Sequence, residues 1–315
     1  MGDSTMVKEF PDEKQRAAVC SSSWRSAKGG KKSRSLARIQ AALYCEPWLI
    51  RPEVHVKISE IVAKHVSGDA HAAGGIASLF QDEEDDRDMC EVLNEESRVW
   101  CIHIDGILGK RVGQLEKSSG VTDVDEISEN FATLVNDPNV TGIVLDISSP
   151  GGTVTGTPEL ADEIYAARSA KPIIAYTDTM CASAAYWLAA QAHVIIASPS
   201  AVVGSVGVYL ALLDASRAYE MAGLTMEVIK AGKYKGAGIQ GTKLTDAQRE
   251  LLQARVDALH ARFKESVMRG HPNIKPEHMQ GQDMYAEEAR GCGMVDIVNG
   301  NIRSAADVVQ TIRRS

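Results

Sequence analysis

The run Val140-Thr141-Gly142-Ile143-Val144-Leu145-Asp146-Ile147 leads directly into Ser148-Ser149-Pro150-Gly151-Gly152. Its first part is short, apolar and β-branched, which predicts a buried strand. Its second part is a turn. Two glycines after a proline let the backbone reverse sharply and, lacking side chains, permit another chain to approach closely. A helix is predicted next, from Pro158 to Ser169. This strand–turn–helix unit sets the reading of everything around it.

Upstream, Val99–Ile104 predicts a strand that ends at the Asp105-Gly106 turn signal. Thr122 or Asp123 then caps a helix to about Val135, stopped by Asn136-Asp137-Pro138. Downstream, Pro172–Tyr176 and Val194–Ala197 predict strands, with a helix from near Ser183 to Gln191 between them. Val206–Leu210 and Thr225–Ile229 predict two more strands, separated by a helix from Asp214 to Met221. Thr245 caps a long helix in which Leu252, Val256, Leu259, Phe263 and Val267 recur every three or four residues, and Gly270-His271-Pro272 ends it. Met294–Val298 is a late strand, followed by a helix from Ser304. Alternating strands and helices predict an α/β fold with a mostly parallel sheet covered on both faces. In such sheets, sites form at the carboxyl ends of the strands. There is no internal repeat.

Residues 1–98 have a different texture and are predicted to be an N-terminal extension, with the main domain at 99–315. The first 35 residues are expected to be largely disordered, with a short helix around Glu13–Cys20; Ser33 to Leu43 predicts another. Pro47 and Pro52 punctuate the chain. Val54, Ile58, Ile61 and Val62 then fall on one face of a helix. Residues 67–97, Gly/Ala-rich and then acidic, read as a linker.

Charge is unevenly spread. The net charge of −8 argues against a nucleic-acid binder as a whole. Residues 25–38 nevertheless carry Arg25, Lys28, Lys31, Lys32, Arg34 and Arg38 without an acid, so a weak phosphate contact is confined to that run. Residues 81–97 carry nine acids against Arg87 alone. Both runs read first as solvated stretches. None of the six cysteines has C-x-x-C spacing, which argues against a structural zinc site or a redox motif and suits a reducing cytoplasm. The first forty residues lack an apolar signal core, and no run approaches the ~18 apolar residues of a membrane span. A cytoplasmic location is expected.

Several residues carry candidate chemistry. Backbone N–H groups around Gly151 and Gly152 can donate to an oxyanion; such donors are typically worth about 3–4 kcal/mol each in a transition state. The same residues also suit an ordinary strand-to-helix turn. Ser183, in Thr179-Met180-Cys181-Ala182-Ser183-Ala184-Ala185-Tyr186-Trp187, lies where a strand becomes a helix. Its hydroxyl can act as a nucleophile, with Ala184 N–H as a second oxyanion donor, or as a helix N-cap. A nucleophilic serine needs a base. His193 falls at the far end of the helix that Ser183 opens and is expected to point away. A lysine can serve only when neutral, which requires burial or a cationic neighbour. Lys235, in Gly232-Lys233-Tyr234-Lys235-Gly236, is one candidate; Lys230, Lys233 and Lys243 compete, and a solvated loop lysine is the plain alternative. Ser205, in Gly204-Ser205-Val206-Gly207, can hold a lysine side chain in place or simply make a turn.

The order Ser-Ser-Pro-Gly-Gly, Ala-Ser-Ala-Ala-Tyr-Trp, Gly-Ser-Val-Gly-Val, Gly-Lys-Tyr-Lys resembles the signal peptide peptidase A family of Ser-Lys peptidases, from about Val99 to Asn299. The resemblance implies Ser183 as nucleophile and Lys235 as general base. It implies Gly151 or Gly152 with Ala184 as the oxyanion hole, and Ser205 as the serine that orients the lysine. It implies the Clp protease/crotonase-type fold, a ββα superhelix. It implies no metal or cofactor, and a homo-oligomer.

Two departures refine this. Membrane-bound members carry a signal anchor, and many have Ser-Gly-Gly where this chain has Ser183-Ala184-Ala185. The latter variant, together with Cys45-Glu46-Pro47-Trp48-Leu49-Ile50, resembles the branch encoded by tailed phages and prophages. That branch implies a capsid-assembly, or head-maturation, protease acting on scaffold and on portal or capsid proteins. A cytoplasmic bacterial housekeeping peptidase and a non-cleaving procapsid component are the alternatives.

Overall fold

A computed structural model describes residues 47–67, 88–117 and 120–312. The helices expected at Glu13–Cys20 and Ser33–Leu43, the basic run and most of the acidic run lie outside the described residues.

The organising element is β5 (Gly142–Thr153), the strand that opens the sequence reading. It is buried along nearly its whole length because both faces are covered and both edges are paired. Strand β3 (Val99–Gly109) holds one edge in parallel, from Val99↔Gly142 to Leu108↔Gly152. The other edge is shared by three strands in succession. β6 (Ile173–Thr177) pairs at Ile143–Asp146, β7 (Met180–Ala182) at Ser149, and β1 (Trp48–Ile50) at Gly151–Thr153. β6 and β7 are parallel to β5, whereas β1 is antiparallel.

The sheet extends outward in the order β10-β9-β7-β5-β6-β8-β11, with β2 (Cys90–Asn94) and β4 (Val121–Asp123) added on β3. Here β8 is Val194–Ala197, β9 Val202–Gly204, β10 Asp283–Tyr285 and β11 Ile297–Val298. Seven of the strand pairings are parallel and three antiparallel. The expected α/β class with a mostly parallel sheet is therefore observed.

The helices are α1 (Pro52–Ser67), α2 (Gln114–Lys117), α3 (Val124–Asn136), α4 (Thr157–Ala167), α5 (Ala184–Ala189), α6 (Ser216–Met221), α7 (Asp246–Gly270), α8 (Ala286–Gly291) and α9 (Ala305–Ile312). Asp123 caps α3 by accepting from Asp125 N–H, and Thr245 with Gln248 forms a full capping box on α7. A large core gathers α3, α4 and α5 on one face of the sheet. A smaller one puts Val308 and Val309 of α9 against Cys101, Val144, Tyr176 and Ile196. Helix α5 is apolar all round, as a helix surrounded by protein must be. Its Trp187 stacks on Phe263 of α7 with ring centroids 4.3 Å apart.

Three expectations are corrected. Val206–Leu210 forms no strand: only Tyr209 bridges, to Trp48. Thr225–Ile229 forms no strand either, and Ile229 is 96 % exposed. An apolar run becomes a strand only where a sheet edge is there to receive it, and these two runs meet none long enough. Conversely, the supposed linker contains β2, because Cys90–Asn94 reaches the free edge of β3. Residues on both sides of Val99 thus contribute strands to one sheet.

Candidate active site

Ser183 stands in the notch where β7 ends beside β5. Its backbone has φ 55° and ψ −117°, a left-handed conformation that costs a non-glycine residue of order 1–3 kcal/mol. The strain is held by its surroundings. Ser183 N–H donates to Gly204 O at 2.8 Å, and Trp187 N–H donates to Ser183 O at 2.9 Å, closing the first turn of α5. Residues Ala184–Ala190 behind it are almost wholly buried. Ser183 itself is 1 % exposed, and its side chain makes no capping hydrogen bond. Of the two roles open to this hydroxyl, the cap is therefore not the one it fills. A strained serine at a strand-to-helix turn with its hydroxyl left over has the geometry of a nucleophile elbow.

Gly151 faces it. At φ +100°, a side chain here would overlap the Leu49 carbonyl oxygen and come within 2.9 Å of Ser183 Cβ. A Cβ on Gly152 would overlap the backbone of Leu108. Both glycines are thus required by close backbone approach on two sides of β5. Gly151 N–H donates to Ser149 Oγ at 3.2 Å, and Ser149 Oγ donates to Gly106 O at 2.6 Å. The Gly151 donor is therefore already engaged in this state. Ala184 N–H is the first of α5, one of the donors that a helix leaves without an internal acceptor.

Ser205 follows Gly204, whose carbonyl holds Ser183, so it lies one peptide unit from the Ser183 backbone. It too is buried with positive φ, 54°, and its N–H donates to Gln282 O at 2.7 Å. The backbone thus brings Gly151, Gly152, Ser183, Ala184 and Ser205 into one neighbourhood. Lys235 is placed differently. It is exposed on the turn-rich stretch between α6 and α7. Its N–H donates to Gly232 O at 3.1 Å, and its carbonyl accepts from Gln248 Nε2 at 3.4 Å. Among the described residues its ammonium makes no hydrogen bond or ion pair. His193 is occupied elsewhere, its Nδ1 accepting from Ile173 N–H at 3.1 Å.

A second cluster lies on the other face of β3. Glu91, Cys101 and His103 bring potential ligand atoms within 4.8 Å of one another, the one such group among the described residues. His103 Nδ1 lies 3.1 Å from Asp146 Oδ2, and its Nε2 lies 3.2 Å from Glu91 Oε1. The hydrogen bond to Asp146 raises the His103 pKa, against the opposing effect of burial. Burial together with the Asp146 and Glu91 charges pushes the Cys101 thiol far up. His103 thus lies between two carboxylates, which favour its protonated form.

The sequence reading missed the strand that touches this site. Trp48–Ile50 carries no periodicity in three residues; its only signal was the pair of prolines that bracket it.

Residues 165–312 match the family Peptidase family S49. Capsid assembly protease C of Escherichia phage lambda is 30% identical over 249 residues, covering 74% of this chain and 56% of that protein. The chloroplastic serine protease SPPA of Arabidopsis thaliana is 28% identical over 211 residues, covering 65% of this chain and 31% of that protein. The chain thus spans about half or less of the length of these relatives. Among solved structures, an enoyl-CoA hydratase from Shewanella pealeana resembles it with a TM-score of 0.39 and 13% identity, over 72% of this chain and 73% of that one.

Proposed function

We propose, from the premise that the chain is a relative of the S49 peptidases over residues 165–312, that it is a serine endopeptidase working through Ser183 and Lys235. The observation that carries this reading is the backbone of Ser183: strained, buried, opening a helix and yet not capping it. Ser183 Oγ attacks a peptide carbonyl while a neutral Lys235 amine takes its proton. The oxyanion is met by Ala184 N–H and by a Gly151 or Gly152 N–H, with Gly151 exchanging its bond to Ser149 for one to substrate. The lysinium returns the proton to the leaving amine, and water hydrolyses the acyl-enzyme. Ser205 orients the lysine.

A lysine loses its charge only when it is buried or crowded by other cations. Lys235 is exposed in the single chain, so a further copy of the chain has to cover it. Support for a homo-oligomer comes from the apolar surface of the same region, where Met221 is 82 % exposed and Ile229 96 %. The substrates we infer are scaffold and portal or capsid proteins of an assembling phage head, in the host cytoplasm or procapsid interior. The likeness to the phage lambda capsid assembly protease supports this. No helix among the described residues is long and apolar enough to cross a membrane.

The test is incubation of the purified protein with candidate scaffold, beside Ser183→Ala and Lys235→Ala. Cleavage by the wild type and by neither variant is the expected result. Cleavage that survives both substitutions removes the dyad. No cleavage by an assembled wild type favours a non-cleaving procapsid component.

A further inference from the structure

We infer that the peptide cleft beside Ser183 is occupied in this state by the chain's own strand β1, which a substrate must displace. The inference rests on the reading of Ser183 as nucleophile. It starts from the edges of β5. β3 holds one edge through Gly152, and β6 and β7 take the other as far as Ser149. The only stretch of β5 left to receive an extended peptide next to Ser183 is Gly151–Thr153. Extended peptides bind by adding a strand to such an edge.

That stretch is filled. Trp48, Leu49 and Ile50 pair antiparallel with Thr153, Gly152 and Gly151, and Arg51 N–H donates to Pro150 O at 3.2 Å. The second edge of β1 is paired as well: Trp48 N–H donates to Tyr209 O at 2.8 Å and Tyr209 N–H to Trp48 O at 3.2 Å. The strand therefore lies in a slot between two backbone walls. Its Leu49 carbonyl and Ser183 Cβ both crowd the one point that a Gly151 side chain would take. All three strand residues are buried, and Ser183 with them. At the exit of the slot, Arg51 pairs with Asp283 of β10 at 2.7 Å and reaches Met180 Sδ of β7 at 3.8 Å. This fastens the end of the strand to β7, which leads into Ser183, and to β10 at the edge of the same sheet. The occupant also defines what the slot accepts: an extended segment with consecutive large apolar side chains.

The experiment uses the full chain with Trp48→Cys and Tyr209→Cys, a facing pair that oxidation can lock. In a Ser183→Ala background, binding of a fluorescent synthetic peptide copying residues 46–51 is measured for the oxidised and reduced forms. The reduced form is expected to bind at least about 10-fold more tightly, equivalent to ~1.4 kcal/mol. Arg51→Ala, which leaves the buried side chains intact, is expected to strengthen peptide binding several-fold and decides the matter if the cysteine pair does not fold. Equal binding by locked and unlocked forms, or no change with Arg51→Ala, overturns the inference. With Ser183 present, labelling by a small fluorophosphonate reports separately on the nucleophile. A lock that controls peptide binding without any labelling of Ser183 keeps the occupied cleft and removes the peptidase reading.

Discussion

Two stretches carry the residues of the proposed dyad, and they are built in opposite ways. Residues 148–190 run through the end of β5, then α4, β6, β7 and α5, and Ser183 is fixed there by backbone packing on every side. Residues 206–243 contain one short helix and no strand, and leave Leu213, Met221, Ile229 and Tyr234 exposed. The first stretch is complete within one chain. The second supplies the proposed base yet has little core of its own. In the proposed mechanism, the geometry of Ser183 is thus finished inside a protomer while its activation waits for a second copy.

The largest expected effect tests that division directly. Lys235→Ala should lower peptidase activity by about 10⁴-fold or more while leaving the stability of the single chain within ~0.5 kcal/mol, because the side chain is exposed there. Turnover and thermal melting on one preparation check both halves. A matching loss of stability would mean that Lys235 is a structural residue. Next, Phe263→Ala removes the ring stacked on Trp187 and should cost about 3–5 kcal/mol. Since α5 rests on that contact, Ser183 labelling should fall with it; urea denaturation gives the first and probe kinetics the second. Ile229→Ser should change the stability of the single chain by no more than ~0.5 kcal/mol, since the residue is already in water. Its expected effect is on assembly: sedimentation velocity should show smaller species, and activity should become more dependent on protein concentration. Unchanged sedimentation would separate this surface from assembly.

The same contrast explains what the sequence let one read. Val99–Ile104, Val140–Ile147, Pro172–Tyr176 and Val194–Ala197 announce β3, β5, β6 and β8, because strands buried on both faces are continuous apolar runs. Thr245 with Gln248 announces α7 through local hydrogen bonds alone. Gly151 and Ser183 were legible for a related reason: the turns they occupy demand particular residue types locally. Val206–Leu210 and Thr225–Ile229 misled, since their composition suits a strand but their pairing depends on edges formed elsewhere. β1 was missed for the converse reason, as its three residues are strand only because Gly151–Thr153 and Tyr209 receive them. The proposed covering of Lys235 by a second copy is a contact that no local pattern encodes.

The smallest expected effect concerns a buried ionisable residue that takes no part in the proposed site. His103 shares β3 with the larger core, but its side chain faces Asp146, Glu91, Asp105 and Cys101. The hydrogen bond to Asp146 raises its pKa in the folded protein, and the Asp146, Glu91 and Asp105 charges reinforce this against burial. The folded state then holds a proton that the unfolded chain releases more readily. The resulting stability is fully present below the unfolded value of about 6.5, and it is lost as pH rises through the folded value. His103→Gln should remove that part of the decline in urea midpoint above pH 6.5. Ser183 labelling at any fixed pH where both proteins are folded should be unchanged. A variant that kept the wild-type pH slope would show that the Asp146 and Glu91 carboxylates do not act through this imidazole. A variant that lost Ser183 reactivity while remaining folded would tie the two faces of β3 together, and the proposed division of labour would then have to include this cluster.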